Sequence, residues 1–523
     1  MSANSRKDAQ RRHIADYFDV CIVGSGASGS FVADTLVQAG WNVLMIEQGE
    51  RVQPGTNLDD YTPHYERAYA RDQEGKWTLK GYPWSACALG GGTNFYAGVS
   101  FRLRLLDFDA SAFVAPDALD VRWPIGYDDL AEYYDEVEQR LGVSRTIGLD
   151  PTEPPHTRPA ALPPHAYSRR GSLLANAAEH LGLKPFPTPL AINSIPYNNF
   201  PACENLTCCT DYACPIQAKA DMASRIILPL TKQPNFTLCT KVKAVRFLQQ
   251  KSDTIDGLEC LDLLNQRRFT IRARIFVLAA NAVQSAALVL RSTTKWWPDG
   301  VGNAGLVGRG LCFKLSEYVA GWAVASTASA LDDAREQNLQ GLYSTMSLTD
   351  YYQDADCPAQ LGGLIYEANP WEPIPQSPEV LLRMECILAD QPMWHNQVRL
   401  SNIQDEYGLP RLILNYHTHP LDASRLAYMT GKARGILQEA HAHDIEHELS
   451  YYTLGSTHLH GTCRAGVDEK TSVVNRYGRF HTLENLYAVD GSFMPYPGSV
   501  NPTLTIQANA LRIARHLAQH ARP

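Results

Sequence analysis

The chain has 523 residues and a formal net charge of −8, with 45% hydrophobic and 20% charged residues. This is the balance of a globular protein of roughly two to four domains, so a largely disordered chain and a collagen-like repeat are excluded. No apolar run is long enough to predict a membrane-spanning helix, and no basic block suggests nucleic acid as a partner.

The start of the chain predicts a βαβ unit. Phe18–Val23 is an apolar run of strand length, residues 30–39 have helical apolar spacing, and residues 41–46 form a second strand. The sequence GSGASG at 24–29 joins the first strand to the helix, and Glu47 follows the second strand. Strand, G-x-G-x-x-G, helix, strand and acidic residue in this order predict a dinucleotide site.

Each residue of this unit has a physical role in the prediction. Gly24 permits the turn out of the strand, Gly26 lets the backbone approach a pyrophosphate, and Gly29 lets the helix pack closely against the strand. Glu47 is placed to accept hydrogen bonds from ribose hydroxyls. The motif leaves NAD and FAD open.

The middle of the chain is less regular. Residues 115–204 are rich in proline and predict extended covering structure rather than core, apart from one helix. The alternating patterns between 311 and 449 predict an antiparallel sheet. The further predicted elements are strands at 236–247, 258–264, 274–280, 396–401 and 410–416, and helices at 127–141, 282–291 and 422–443. The whole pattern predicts a doubly wound α/β domain intertwined with an antiparallel-sheet domain.

The C-terminal segment favours FAD. A short strand at 486–489 ends at Asp490 and Gly491, where the glycine allows close backbone approach. Asn501 and Pro502 are predicted as the N-cap and the first residue of a helix that runs to about 518. The N-terminus of that helix would stabilise the negative charge of a reduced flavin. A dinucleotide that reaches both ends of the chain suits FAD.

With these motifs the chain resembles the glucose–methanol–choline (GMC) family of FAD-dependent oxidoreductases. The resemblance covers nearly the whole chain and includes LGGGTN at 89–94, HLHGTCRAG at 458–466 and NPTLT at 501–505. It is strongest to bacterial members similar to pyranose and glycoside oxidases. It implies a Rossmann-like FAD domain of the glutathione-reductase type in segments 1–105, 205–310 and 450–523, and a substrate domain in segments 106–204 and 311–449.

The motifs and the resemblance together imply the residues that bind FAD. These are Gly24, Gly26, Ser28, Gly29, Glu47, Gln48, Gly91, Gly92, Thr93, Asn94, Tyr96, Ala97, Val242, Asp490, Gly491, Asn501, Pro502 and Thr503. Some sugar-oxidising members carry a histidine that bonds covalently to the flavin, and here the comparable position is Phe95. A phenylalanine forms no such bond, so noncovalent FAD is predicted.

The resemblance also implies the catalytic pair. The family's base lies four residues before the threonine of its H-x-x-G-T motif, which is His458 here, and histidine suits proton removal near neutral pH. The second position, before Pro-Thr, is Asn501, whose amide donates to the substrate oxygen and orients it. His460 is expected to be structural. The predicted reaction is oxidation of a sugar, glycoside or other alcohol by hydride transfer to flavin N5; the alternative is a flavin-containing lyase.

A cysteine cluster is not explained by this function. Cys203, Cys208, Cys209 and Cys214 fall within twelve residues. Free thiols or a disulfide, an iron–sulfur cluster and a zinc site all remain open, and none of the spacings matches a standard metal motif. No metal site is therefore predicted.

The N-terminal residues and the distribution of cysteines predict where the protein is located. Arg11-Arg12 superficially resembles an export signal, but acidic residues interrupt the apolar stretch that follows, and scattered cysteines suit a reducing compartment. The protein is expected to be cytoplasmic. The expected partners are a small alcohol substrate and oxygen or another electron acceptor, with a small partner subunit or an oligomer as further options.

Overall fold

The computed structural model describes residues 17–58, 67–71, 77–81, 85–205, 209–324, 341–369, 379–448 and 458–521; for 67–71, 77–81 and 448 it describes the backbone alone. Its strands, in chain order, are β1 (Phe18–Val23), β2 (Val43–Ile46), β3 (Arg67–Arg71), β4 (Trp77–Gly81), β5 (Phe186–Pro187), β6 (Phe236–Cys239), β7 (Val242–Leu248), β8 (Gly257–Asp262), β9 (Arg267–Ile271), β10 (Ala273–Leu278), β11 (Leu315–Val324), β12 (Met346–Leu348), β13 (Leu364–Glu367), β14 (Glu379–Leu388), β15 (Gln397–Gln404), β16 (Pro410–Asn415), β17 (His443–Glu448) and β18 (Leu486–Ala488).

The main helices, in chain order, are α1 (Ala27–Gln38), α2 (Ala131–Leu141), α3 (Arg169–His180), α4 (Asn281–Arg291), α5 (Pro420–Glu439) and α6 (Thr503–His520). A π-helical turn, Ala223–Ile227, leads into a short α-helical turn, Leu228–Leu230. The 3-10 turns are Gly91–Asn94, Leu105–Phe108, Ser111–Phe113, Pro358–Gln360 and Gly491–Phe493. Among the described residues, none of the helices combines the length and the hydrophobicity that a membrane span requires.

A five-stranded parallel sheet forms the nucleotide-binding half, in the order β18-β10-β1-β2-β6. Most residues of β1, β2 and β10 are buried, as expected for a parallel sheet whose two faces are both covered. α1 packs against α6. The antiparallel sheet β7-β8-β9 adds a further layer through Phe247, whose ring centroid lies 5.6 Å from that of Phe276 in β10. The predicted Rossmann-like α/β fold is confirmed.

A six-stranded antiparallel sheet forms the other half, in the order β17-β11-β14-β13-β12-β5. α3 and α5 pack on it through a second apolar cluster that includes Leu174, Leu382 and Met429. A smaller sheet, β15-β16-β3-β4, completes the strands. The chain crosses between the two halves several times, as the prediction of intertwined domains requires.

The boundaries of several elements differ from the sequence prediction. The helix predicted to reach residue 443 ends at Glu439, and residues from His443 onward form β17 instead, because pairing with β11 outweighs their local helical pattern. The helix predicted from 127 begins at Ala131. α3 was not predicted; its N-cap Ser168 accepts a hydrogen bond from the Gly171 amide at 2.8 Å.

The proline-rich region contributes more core than its composition predicts. Trp123 and Tyr127 are buried, and both rings contact that of Phe108. The Trp123 indole donates to the carbonyl oxygen of Tyr496 at 3.1 Å. The prediction that residues 115–204 only cover the core is therefore wrong for this part, because aromatic side chains fill a space that the backbone pattern does not reveal.

Candidate active site

A cavity of about 370 Å³ lies between the two halves of the molecule. One wall is formed by residues that follow the C-terminal ends of β1, β2, β10 and β18, and the opposite wall by side chains of β11, β13 and β14. Ligands of open α/β sheets bind at the carboxyl ends of the parallel strands. The cavity therefore lies where the sequence motifs place the dinucleotide.

Glycines make the narrow part of this cavity. Gly24 has φ +104°, and a Cβ there would lie 2.4 Å from the Ala279 carbonyl oxygen, so only glycine fits this turn. A Cβ on Gly26 would meet only the Gly91 Cα, at 4.0 Å, and space for a ligand remains between the two glycine turns. A Cβ on Gly29 would overlap Gly24, as expected for the helix–strand packing position. The roles predicted for the three glycines fit this cradle.

Glu47, the residue predicted to bind the ribose, is held by a buried hydrogen-bond network. Glu47 accepts from the Ser25 hydroxyl at 2.6 Å, from the Ser25 amide at 3.1 Å and from the Gly49 amide at 2.8 Å. Ser25 Oγ in turn accepts from the Gly90 amide at 3.0 Å. Burial raises the pKa of the Glu47 carboxyl, although these donors oppose the shift. The network joins both glycine turns to the end of β2.

Two glycine substitutions separate the fold from the binding of the flavin expected here. Gly24→Ala should destabilise the protein by about 2 kcal/mol or more, since it combines a strained φ with a backbone clash. Gly26→Ala creates no clash, so the flavin-free protein should unfold at the parent temperature while flavin affinity falls at least about tenfold, because the methyl group blocks close approach of the pyrophosphate. Flavin content after gel filtration and thermal unfolding of the flavin-free proteins test this. Parental flavin content in Gly26→Ala would contradict it.

Hydrogen bonds from the side chains of Thr93 and Asn94 hold the second glycine turn in place. Asn94 donates to the carbonyl oxygens of Leu89 at 2.9 Å and Gly91 at 2.8 Å, and Thr93 Oγ1 donates to the Gly90 carbonyl at 2.6 Å. Asn94 therefore shapes the turn rather than facing the cavity. Phe95 follows; it is buried and lines the cavity.

The C-terminal strand ends in a turn that faces the cavity. The Asp490 carboxylate accepts from the Ser285 hydroxyl at 2.5 Å and the Ser492 amide at 2.9 Å. Burial raises the pKa of Asp490. A Cβ on Gly491 would lie 2.3 Å from the Leu459 carbonyl oxygen, so the glycine lets residues 458–461 pack directly against this turn. This packing brings the segment that carries His458 to the cavity.

The two predicted catalytic side chains meet in the cavity wall. Nδ2 of Asn501 lies 3.5 Å from Nε2 of His458, and both residues line the cavity. Burial and then the positive charge of Lys314 lower the pKa of His458 well below its ordinary value. A neutral imidazole is the form that accepts a proton.

Asn501 is not a helix cap. α6 begins at Thr503 with Pro502 in the N-cap position and no side-chain cap, so the prediction of Asn501 as N-cap is wrong. Its Oδ1 is buried and has no hydrogen-bond partner among the residues that the structure describes. The orientation of the Asn501 side chain is therefore not set by a helix cap.

His460 and Lys314 lie behind this pair. His460 is fully buried, does not line the cavity, and neither ring nitrogen has a hydrogen-bond partner within the described ranges. The Lys314 ammonium donates to the Val500 carbonyl oxygen, next to Asn501. Burial lowers the pKa of Lys314 to about 7, while the charges of Asp107 and Asp390 oppose the shift. Sequence reasoning did not assign Lys314 a role, because a single lysine carries no spacing signal.

Most predicted cofactor residues face one space. All eighteen line the cavity except Gly29 and Asn94, which support the turns. The main residues that sequence reasoning missed are Ser25, Phe95 as a cavity residue, Lys243, Arg291, Tyr318, Tyr343, Tyr366 and Glu385. The four last belong to the antiparallel-sheet half, where no motif marks them.

The cysteine cluster lies partly outside the described residues, because Cys208 is not among them. Cys203, Cys209 and Cys214 form no disulfide with one another, and a hydrogen bond with Cys209 lowers the pKa of Cys203. The Lys219 ammonium donates to the carbonyl oxygens of Tyr96 and Tyr212, both at 2.9 Å, which ties this loop to the cavity wall. The choice between thiols, disulfide and cluster stays open.

One group of metal-ligating side chains occurs in the described part of the chain. It comprises Asp135, Glu138 and His156. Arg102 pairs with Asp135 at 2.6 Å and Glu138 at 2.7 Å, and Arg145 pairs with Glu138 at 2.7 Å. Two guanidinium groups therefore already balance the carboxylates, and the group is a buried ion-pair network.

The chain is similar to known proteins along nearly its whole length. Models of the GMC oxidoreductase family match residues 163–315 and 392–510. The chain is 49% identical to the paromamine 6'-oxidase of Streptomyces fradiae, over 96% of this chain and 91% of the relative. It is 46% identical to the 6'''-hydroxyparomomycin C oxidase of Streptomyces lividus, over 96% of this chain and 92% of the relative.

Solved structures share the fold at low identity. A pyridoxine 4-oxidase from Mesorbium loti superposes with a TM-score of 0.67 at 20% identity, over 96% of this chain and 99% of that one. A fungal aryl-alcohol oxidase superposes with a TM-score of 0.69 at 14% identity, over 98% of this chain and all of the other, 100%. These likenesses support the two-halved architecture described above.

Proposed function

This chain belongs to the GMC oxidoreductase family and oxidises alcohols with FAD, and from this premise we propose that His458 and Asn501 are its catalytic residues. The observation that carries the proposal is their 3.5 Å approach in the wall of the cavity that the glycine turns open. We further propose the domain division given by the sequence, with the FAD domain in three segments around the substrate domain.

The residues of the cavity fit FAD. The facing turns at Gly26 and Gly91 leave room for a pyrophosphate beside the N-terminus of α1, whose dipole and amides favour anions. Glu47 lies at the ribose position, and the N-terminus of α6 at Pro502 and Thr503 lines the same cavity. When bound, the flavin supplies the acceptor for the hydride that leaves the alcohol carbon.

The protein's own groups deal with the proton and the geometry. His458, kept neutral by burial, accepts the hydroxyl proton of the substrate at Nε2. Asn501 donates from Nδ2 to the substrate oxygen and holds the hydroxyl against the imidazole. Asn501 is buried and His458 is half-buried, so a hydrogen bond formed here is stronger than it would be in solvent.

We propose an aminoglycoside alcohol as the substrate. Two relatives that match nearly the whole chain are named as oxidases of paromamine and of 6'''-hydroxyparomomycin C. Because both relatives are named oxidases, we propose oxygen as the electron acceptor. A cytoplasmic location is proposed from the scattered cysteines.

Anaerobic mixing of the holoenzyme with paromamine tests the function. The visible absorbance of the flavin should be lost on mixing and return when air is admitted. Conversion of paromamine without any bleaching would indicate the lyase alternative, and neither bleaching nor conversion would remove paromamine as a substrate. A screen of neutral sugars and glycosides, run in the same way, measures selectivity.

The flavin should be held without a covalent bond. Phe95, buried at the cavity, offers no nucleophile where covalent members carry histidine. Acid precipitation should therefore release all the yellow colour into the supernatant. Colour that stays in the washed pellet would show that another side chain forms the bond.

A further inference from the structure

A carboxylate surrounded by tyrosines lies in the antiparallel-sheet wall of the cavity. Glu385 of β14 is opposite Tyr318 of β11 and Tyr366 of β13 in the strand register, so the three side chains form one row on the same face of the sheet. Glu385 Oε2 accepts from the hydroxyls of Tyr366 at 2.6 Å and Tyr343 at 2.7 Å. We call Glu385 and these three tyrosines, all of which line the cavity, the carboxylate–tyrosine cluster.

Glu385 differs from the other carboxylates that line the cavity in the described part of the chain. Glu47 and Asp490 follow strands of the parallel sheet and are bonded by backbone amides of the nucleotide-binding turns. Glu385 stands on the opposite wall, in the substrate half. Its charge is therefore placed to meet the substrate rather than the cofactor.

Among the described residues, the donors around Glu385 leave one acceptor position open. An ionised carboxylate offers about four lone-pair positions. The two tyrosines fill those of Oε2, and the Ser316 hydroxyl donates once to Oε1. All three donors are neutral hydroxyls, which satisfy hydrogen bonding without cancelling a charge. The nearby guanidinium of Arg383 lies over the Tyr318 ring, 3.9 Å from its centroid, and does not line the cavity.

The rings of the cluster suit the same kind of ligand. A cation within about 6 Å of an aromatic ring centroid is attracted by the ring, and the attraction is greater when water is excluded. Glu385 itself is only 5% exposed. A buried carboxylate next to aromatic rings is an arrangement that favours an ammonium group over a neutral hydroxyl.

The cluster is connected to the catalytic pair. The side chains of Tyr366 and Asn501 interact in the cavity wall, and Asn501 Nδ2 lies 3.5 Å from Nε2 of His458. A substrate with its hydroxyl at His458 therefore has Glu385 within reach of another substituent. An amino sugar carries an alcohol and an ammonium group on one compact scaffold.

We propose that Glu385 is a specificity-determining residue that binds an ammonium group of the substrate, with the tyrosine rings of the cluster around it. The preferred substrates are then cationic amino sugars or their glycosides rather than neutral sugars. This inference rests on the proposed function for the position of the alcohol. The ammonium contact itself does not require turnover.

Glucosamine and glucose provide the test, because they differ in one ammonium group against one hydroxyl. Each is titrated into the oxidised holoenzyme without oxygen, and affinity is measured from the change in flavin absorbance, or from the concentration dependence of reduction if the flavin is reduced. The parent should bind glucosamine at least about tenfold more tightly than glucose. In Glu385→Gln, which keeps the size and one acceptor oxygen, this preference should disappear.

Glu367→Gln is the matched control. Glu367 is a buried carboxylate of the same sheet that accepts from Ser168 and from the Thr345 amide, and it does not line the cavity. This variant should keep the preference whatever its thermal stability. No preference in the parent, a preference that persists in Glu385→Gln, or its loss in Glu367→Gln as well would overturn the inference. Failure of the proposed function would instead appear as a flavin that paromamine does not reduce while the preference for glucosamine remains.

Discussion

Replacing His458 with alanine is expected to slow reduction of the flavin by the alcohol at least about a hundredfold, the usual scale for loss of a general base. FAD content should remain near that of the parent, because the contacts placed at the pyrophosphate and ribose come from the glycine turns and Glu47. Stopped-flow measurement of the reductive half-reaction separates this step from reoxidation. A reduction rate within a few fold of the parent would show that another group takes the proton.

The pH profile gives a second measure of the same residue. Burial and the charge of Lys314 lower the pKa of His458 well below the ordinary histidine value of 6.5. The imidazole is therefore still neutral at pH 6.5. A group with a lowered pKa binds its proton only at more acid pH. The acid limb of kcat/KM that belongs to His458 should therefore lie below pH 6.5.

His460 is the control for this prediction. Its ring is stacked near that of His458, with centroids 6.4 Å apart, yet it does not line the cavity. His460→Ala removes a fully buried ring and should lower the unfolding temperature, because a cavity remains in the core. Its rate of flavin reduction should stay close to that of the parent. If the two variants exchange these behaviours, His460 is the base.

Replacing Asn501 with aspartate is expected to lower the rate of flavin reduction about a hundredfold, the scale for losing one well-placed donor. An ionised carboxylate only accepts hydrogen bonds, so it does not donate to the substrate oxygen. A negative charge beside Nε2 of His458 also favours the imidazolium, which is not a base. The reduced flavin also carries negative charge, so the reduction potential of the flavin should be lower in Asn501→Asp than in the parent.

The fold should tolerate this change. Asn501 does not cap α6, so no cap is lost, and an acidic side chain near a helix N-terminus is favourable. Thermal unfolding and FAD content should therefore stay near those of the parent. Parental rates and potential in Asn501→Asp would limit Asn501 to a structural role.

Asn509→Asp is a matched change within α6, which begins two residues after Asn501. Asn509 is buried, accepts hydrogen bonds from Arg512 at 2.9 and 3.1 Å, and does not line the cavity. The new carboxylate has a guanidinium partner there. The Asn509→Asp variant should have the reduction rate and the flavin potential of the parent. That result would show that the effect of Asn501→Asp depends on the position of the new charge.

The dinucleotide end of the proposed site could be predicted from the sequence. The roles of Gly24, Gly26 and Glu47 depend on backbone turns and strand ends within one contiguous segment, so their spacing is enough to place them. The segments around His458 and Asn501 were likewise recognised as ordered motifs. Turns and strand ends of this kind are specified by residues that lie close together in the sequence.

The substrate wall and the position of Asn501 outside α6 could not be predicted from the sequence. Tyr318, Tyr366 and Glu385 come from three strands and become neighbours through sheet register, which no spacing along the chain reveals. β14 is buried along most of its length, so its sequence pattern does not tell which face lines a cavity. Long-range pairing sets that face, and with it the chemistry that the enzyme presents to its substrate.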